Sequence, residues 1–276
     1  MKKSSLPGVC GSLAILLGLF GVFGAPGALG GQDSEASPSG DDVMARVNGR
    51  DRGGTARFEL RLLLFDPERG DFSKRIQAEQ RASDGGYRTA YRVEEPEHEH
   101  GIVLLVAEDE TLDGFWMYFP RSDHLLPVAT RSLSALGSDF ICEDLRNVWP
   151  AADYEFEALG RTEVDGVECL EVQMTPASYQ LRRELGFDRA VGCVREDNWV
   201  IIRSRYYDDE GNHFKTYRAK RVERVQGVWT VLESEMVNHR NDHRSTVEML
   251  SVDYDHAASE TALAPDALGE ISRSGL

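Results

Sequence analysis

From Thr55 onward the chain alternates: Ala56, Phe58, Leu60 and Leu62 take turns with Arg57, Glu59 and Arg61. That two-residue period is the mark of a strand with one face toward a core and the other toward water. The pattern returns down the chain between short turn-forming stretches. Pro67 to Gly70 marks one turn, and the pairs Asp84-Gly85, Asp113-Gly114 and Asp165-Gly166 mark others, because Asp-Gly tolerates the positive φ of a tight hairpin. Asp208 to Asn212, Gln226-Gly227 and Asn238 to Asp242 read the same way. The segments between these turns make about ten or eleven strands, and such short connections favour an antiparallel meander over alternating strands and helices.

Three places leave the two-residue period. Asp41 and Asp42 suit the first turn of a short helix through Val43, Met44, Ala45 and Val47, which Gly49 would end. Residues 137–148 (GSDFICEDLRNV) read as a second helix, with Ser138 or Asp139 as its cap. A third follows Thr175-Pro176, with Thr as cap and Pro at the first helical position, and it puts Leu181 and Leu185 on one face. Two further segments, Gly101 to Val106 and Phe115 to Pro120, are apolar on both faces. Each must be covered on both sides, or must line a cavity on one.

The amino terminus is of another kind. Lys2 and Lys3, the apolar run Leu13 to Phe23 and the small residues from Ala25 to Gly30 follow the order of a secretory signal peptide, with cleavage expected after Gly30. The run falls short of the roughly 20 apolar residues needed to span a bilayer. The expected organisation is a signal peptide over residues 1–30, a flexible leader over 31–40 and one β-domain over 41–276, with no stable membrane anchor. Cys10 leaves with the signal, and Cys142, Cys169 and Cys193 stay. In an oxidising compartment Cys169 and Cys193, in segments that can be neighbouring strands, are the first pair to consider as a disulfide. The alternative is three buried cysteines acting as small hydrophobes.

Charge and motifs narrow the function. With 31 Lys and Arg against 47 Asp and Glu the formal charge is -16, which argues against nucleic acid or anionic membrane faces as partners. There is no G-x-S-x-G, no phosphate-cradling glycine loop, no H-E-x-x-H and no dinucleotide fingerprint. His98 and His100 in EPEHEHG, and His239 and His243 in HRNDH, read as parts of exposed turns rather than as metal ligands. The carboxylate pairs Asp41-Asp42, Glu94-Glu95 and Asp208-Asp209 have no apolar setting that would raise a pKa. The expectation is a protein without catalytic residues, metal or cofactor.

Longer strings carry a resemblance. DGGYRTAYRVEEPEHEHGIVLLV, then DGFWMYFP with Arg121, LGSDFICEDL and VDGVECLEVQMTP occur in that order, followed by IIRSRYY, Asp209-Glu210-Gly211, Lys215-Thr216 and Trp229 through Met236 and Asn238. Over about residues 41–262 the chain resembles the LolA-like group, the outer membrane lipoprotein-sorting proteins. The resemblance implies a mainly β fold, a curved antiparallel sheet forming an incomplete, half-open barrel, with two or three short helices as a lid over an apolar cavity.

It also implies a periplasmic carrier that shields the acyl chains of a lipoprotein or lipid between an inner-membrane exporter and an outer-membrane acceptor. The alternative is a periplasmic accessory or sensor module of an envelope exporter, which grips a protein with the same fold and a filled core. The expected lining is Phe58, Leu60 and Leu62 from one strand, Leu104 and Val106 from another, and Val172 and Met174 from a third. Phe115, Met117 and Phe119 are preferred to Trp116 and Tyr118, although a one-residue slip exchanges the two faces. Residues 137–148 are expected to form a movable lid, with Gly137 at its hinge and with Phe140 and Leu145 on it. Two departures bear on the local cavity shape. Cys142 stands where the group usually has an aromatic residue, and Val191 to Val194 with Asn198-Trp199 make a longer detour than the group's strand.

Overall fold

The computed structural model describes residues 37–276; the expected signal peptide, Cys10 and most of the leader lie outside the described residues. A first meander contains β1 (Thr55–Phe65), β2 (Phe72–Ser83), β3 (Gly86–Glu95), β4 (Val103–Glu108), β5 (Asp113–Phe119) and β6 (His124–Pro127). A second contains β7 (Tyr154–Val164), β8 (Val167–Pro176), β9 (Arg189–Val194), β10 (Ile201–Tyr207), β11 (His213–Val225), β12 (Val228–Asn238) and β13 (His243–Asp253). β13 comes back to pair with β1, so the order across the single sheet is β6-β5-β4-β3-β2-β1-β13-β12-β11-β10-β9-β8-β7. This curved antiparallel sheet does not close, and β6 and β7 are its two edges. Register shifts between Glu59 and Leu60 in β1, and between Ala158 and Gly160 in β7, add the local twist that helps such a sheet curl.

Thirteen strands exceed the ten or eleven counted from turns. β6 and β9 are only four and six residues long, and no Asp-Gly pair or similar turn sets them off. Asp113-Gly114 opens β5 instead of making a turn. The turn lies just before it, where Asp109 Oδ1 accepts hydrogen bonds from the backbone N of Thr111 (2.8 Å) and Leu112 (2.9 Å). The other two Asp-Gly pairs do link consecutive strands, β2 to β3 and β7 to β8.

Helix α1 (Gly40–Asn48) starts where the two aspartates suggested. Ser39 Oγ accepts from Asp42 N at 3.1 Å and Asp42 Oδ2 accepts from Ser39 N at 3.3 Å, a reciprocal cap that satisfies two free donors. A Cβ on Gly40 would come within 2.6 Å of the Phe156 carbonyl carbon, so the missing side chain lets α1 lie directly on β7. Helix α2 (Tyr179–Leu185) does bury Leu181 and Leu185, but it begins three residues beyond Pro176. Pro176 closes β8 opposite Tyr154, and Ser178 is the cap, its Oγ accepting from Leu181 N at 3.1 Å. Sheet pairing thus outlasts the local helix-start signal.

Residues 137–148 are not a helix. Two short 3₁₀ turns, Ala135–Gly137 and Cys142–Arg146, flank an extended stretch that bridges back from Ile141 to Ser134. Leu136 (φ 52°) and Gly137 (φ 81°) both adopt left-handed backbone, which an α-helix cannot contain. Ser138 and Asp139 cap nothing in this segment's helical sense: Asp144 Oδ2 accepts from Ile141 N at 2.8 Å, and Asp139 is bonded across to β13.

Apolar residues lie on both faces of the sheet. The larger core is on the concave side, where α1, α2 and the β6–β7 connection cover it. A smaller one lies on the convex side, where Leu268 and Ile271 of α3 (Leu268–Ser274) pack on Ala90, Val103, Leu105 and Tyr118. β4 is therefore buried on both faces, as its unbroken apolar run required. Cys169 and Cys193 form a disulfide between β8 and β9. Cys142 is free and fully buried, and burial pushes its thiol pKa up to about 12, which leaves it a small hydrophobe. Among the described residues no helix is long and apolar enough to cross a membrane.

Candidate functional site

The chain between β6 and β7, residues 128–153, crosses the concave face as a strap. Beneath it is a cavity of about 270 Å³. Its floor is mainly apolar, with Phe58, Leu60 and Leu62 of β1, Ile76 of β2, Met236 of β12 and Val247 and Met249 of β13. The strap supplies the roof through Ala135, Leu136, Phe140, Leu145 and Trp149, while Tyr154, Phe187 and Tyr206 make one wall.

Of the residues expected to line a cavity, Phe58, Leu60 and Leu62 do so. Leu104, Val106, Phe115, Val172 and Met174 also point to the concave side, but they are buried in the packed core and Met117 lies partly buried against it. The two faces of β5 are resolved by register: Val106 pairs with Phe115 and Leu104 with Met117, while Trp116 and Tyr118 turn toward α3. Phe119 ends β5, half-buried and away from the cavity wall. Phe140 and Leu145 lie on the roof. Gly137 stands at a left-handed bend beside the Lys74 ammonium, which would be 3.5 Å from an added Cβ. Ile76, Met236, Val247, Met249, Tyr206 and Tyr217 went unread as lining. The alternation of Val247 and Met249 is visible in the sequence, but which strand faces them is not.

Polar contacts hold the strap at a few points. Asp139 N donates to Ser245 Oγ at 2.8 Å, and Ser245 Oγ donates to Asp139 Oδ2 at 2.6 Å. Lys74 Nζ donates to the Leu136 carbonyl at 2.8 Å. At the far end Asn48 of α1 both donates to Trp149 O (2.7 Å) and accepts from Trp149 N (2.8 Å). Asp144 receives the Tyr206 hydroxyl (3.1 Å) and faces Lys215 (3.5 Å). Arg146 reaches Asp113 (2.6 Å) and Glu143 (3.3 Å) with its guanidinium 4.8 Å above the Phe115 ring, and Arg52 pairs with Glu108 (2.6 Å) while donating to the Arg146 carbonyl (2.6 Å). Buried pairs of this kind fix geometry more than they add stability, because each charge loses its water.

Glu108 illustrates that cost. Burial pushes its pKa up to about 7 despite the Arg52 guanidinium beside it. Free glutamate ionises near 4.5, so the native protein holds the proton more tightly than the unfolded chain does. The stability linked to that proton is complete below a pH of about 4.5 and is lost as the pH rises through about 7. Glu108→Gln, which cannot ionise, is expected to lose less stability than the parent protein between about pH 5 and pH 8, read as urea midpoints. Parallel profiles for the two proteins would show that Glu108 does not titrate in this window.

The histidines do not converge on a metal. His243 faces Asp66 at 3.2 Å, His239 and His213 share the Thr216 hydroxyl, and His98 is exposed. Among the described residues no three His, Cys, Asp or Glu side chains form a group that would hold an ion.

Solved structures share this architecture. A DUF1329 family protein from Desulfovibrio piger ATCC 29098 matches with a TM-score of 0.75 and 22% identity, over 83% of this chain and 97% of that one. A putative outer membrane lipoprotein-sorting protein domain from Vibrio parahaemolyticus matches with a TM-score of 0.75 and 16% identity, over 83% and 98%. A LolA superfamily protein from Nitrosomonas europaea gives a TM-score of 0.63 and 13% identity, over 80% and 96%. At these identities the likeness is one of fold. No curated protein matches the chain. A family model described as "Uncharacterized protein" matches residues 85–270, well over half of the chain. The chain therefore belongs to that family, and its fold is LolA-like.

Proposed function

We propose that this protein is a periplasmic carrier, exported by a cleavable signal peptide, that shields the acyl chain of a lipid or lipoprotein during transfer from the inner to the outer membrane. The observation that carries the reading is the mainly apolar, partly open cavity of about 270 Å³ between the concave sheet and its strap. Two of the fold relatives bear the names of lipoprotein sorting or of the LolA superfamily. The strap's own charged residues, Glu143, Asp144 and Arg146, are paired with one another or with the sheet, which favours a binding protein over an enzyme and calls for no cofactor.

Hydrocarbon transfer supplies the driving force. Each buried CH₂ contributes about 0.8 kcal/mol, so a chain of about 14 to 16 carbons gains on the order of 10 kcal/mol in a dry site. The cavity is slightly smaller than the roughly 300–1,000 Å³ usual for ligand pockets. A long acyl chain therefore enters only if the strap yields, and the same movement would let it leave for an outer-membrane acceptor after loading by an inner-membrane exporter. Native mass spectrometry of the protein taken from the periplasm, with titration of the delipidated protein by a fluorescent fatty acid, tests this reading. Copurified lipid and saturable binding are expected. A lipid-free protein that binds no acyl probe would favour an accessory or sensor module that grips another protein.

A further inference from the structure

The lining of the cavity is not apolar throughout. Ser204 of β10 lies directly opposite Tyr217 of β11, and Tyr217 lies opposite Met236 of β12, two residues along from Ser234. Ser204, Tyr217 and Ser234 all line the cavity, and both serines are more than nine-tenths buried, at 2% and 9% exposure. Among the described residues their three hydroxyls make no hydrogen bond within 3.5 Å. Tyr217 is half-buried, and the three hydroxyls, on adjacent strands, line the same cavity, where the polar head of a ligand can reach them.

Arg50, in the link between α1 and β1, also lines the cavity. Its guanidinium makes one hydrogen bond, from Nη1 to the Trp229 carbonyl at 3.3 Å. The neighbouring charges are all answered: Arg52 by Glu108, Arg146 by Glu143 and Asp113, Lys215 by Asp144, and Arg131 by Glu143 and Asp153. Among the described residues no carboxylate comes within 4.0 Å of Arg50. Burial lowers its pKa, as befits a cation without a counter-ion, and it lies near enough to Tyr217 to lower the phenol's pKa against the effect of burial. In a chain with a formal charge of -16, an unpaired cation inside the binding cavity is a specific feature rather than part of a general basic surface.

We propose that Arg50 and the hydroxyls of Ser204, Tyr217 and Ser234 form a head-group subsite for the oxyanion of an anionic amphiphile, whose tail lies along Leu60, Leu62 and Ile76. The inference rests on the carrier reading and narrows it. It selects a fatty acid or a phosphate-bearing lipid over the uncharged acyl-glyceryl end of a lipoprotein. Charge-assisted hydrogen bonds in a desolvated site discriminate well, since an ester of the same length leaves both the guanidinium and the hydroxyls short of an anion.

The test is competitive displacement of a fluorescent acyl probe from the full mature protein at pH 8 by dodecanoate, methyl dodecanoate and dodecyl phosphate. One or both anions are expected to bind about ten- to hundredfold tighter than the ester. The preference should vanish in Arg50→Leu, survive in part in Arg50→Lys, and fall several-fold in Ser204→Ala and Ser234→Ala. Tighter binding of dodecanoate assigns a carboxylate head group, and tighter binding of dodecyl phosphate a phosphate. Equal binding of acid, phosphate and ester by the parent protein overturns the subsite while leaving the carrier reading in place, and so does an undiminished preference in Arg50→Leu. Failure of all three to bind overturns both.

Discussion

Tying the strap to the sheet with Asp139→Cys and Ser245→Cys, in a Cys142→Ala background, is expected to abolish acyl uptake when the new pair is oxidised and to restore it on reduction. The two side chains already meet through a 2.6 Å hydrogen bond, one on the strap and the other on β13. A covalent bond there would hold the roof near its midpoint, between Leu136 on one side and Phe140 and Leu145 on the other. The bend at Leu136 and Gly137, with positive φ at both residues, is where the strap would turn as it lifts. If entry needs an open form, the cross-link takes that form out of the population, and the rate of uptake should fall by more than about tenfold. Stopped-flow mixing with a fluorescent fatty acid reads the effect. The parent protein in the same reductant is the control, since reduction also reaches Cys169–Cys193. Equally fast uptake by the cross-linked protein would sink the moving roof.

The second large effect separates the packed core from the cavity. Leu104 is fully buried on β4 between Tyr91 and Met117 and is not part of the cavity wall. Leu104→Ala should cost about 2–5 kcal/mol, because the neighbours cannot fill the void, while the acyl affinity of the remaining folded protein stays unchanged. Leu60 borders space that already exists. Leu60→Ala should fall at the lower end of that range, about 2 kcal/mol, and weaken acyl binding several-fold through lost contact. Urea denaturation and probe titration on both variants decide the matter. Equal stability loss together with equal binding would mean that the cavity wall is no different from the rest of the core.

Much of this molecule can be read from short stretches of its chain. The alternation in β1, the two-residue turns at Asp84-Gly85 and Asp165-Gly166, the start of α1 and the pairing of Cys169 with Cys193 all depend on residues close in sequence or on neighbouring strands. Periodicity and turn chemistry are local, so they survive without knowledge of the whole. Where a local signal competed with the sheet it lost: Thr175-Pro176 marks a helix start, yet Pro176 stays in β8, and GSDFICEDLRNV looks helical yet is drawn out across the concave face.

The site itself was decided at long range. Arg57 meets Asp253 across the β1–β13 junction, and only that closure of two meanders makes a concave side. Both faces of β4 and β5 are greasy, and their sequence carries no sign of which one α3 will cover; the register and the C-terminal helix assign Tyr118 to one side and Phe115 to the other. Alternation along a strand thus specifies that a residue is buried. Whether it packs solid, like Leu104, or borders open space, like Leu60, depends on what the strap and the opposite strands bring over it, and those partners come from parts of the chain that no local pattern connects.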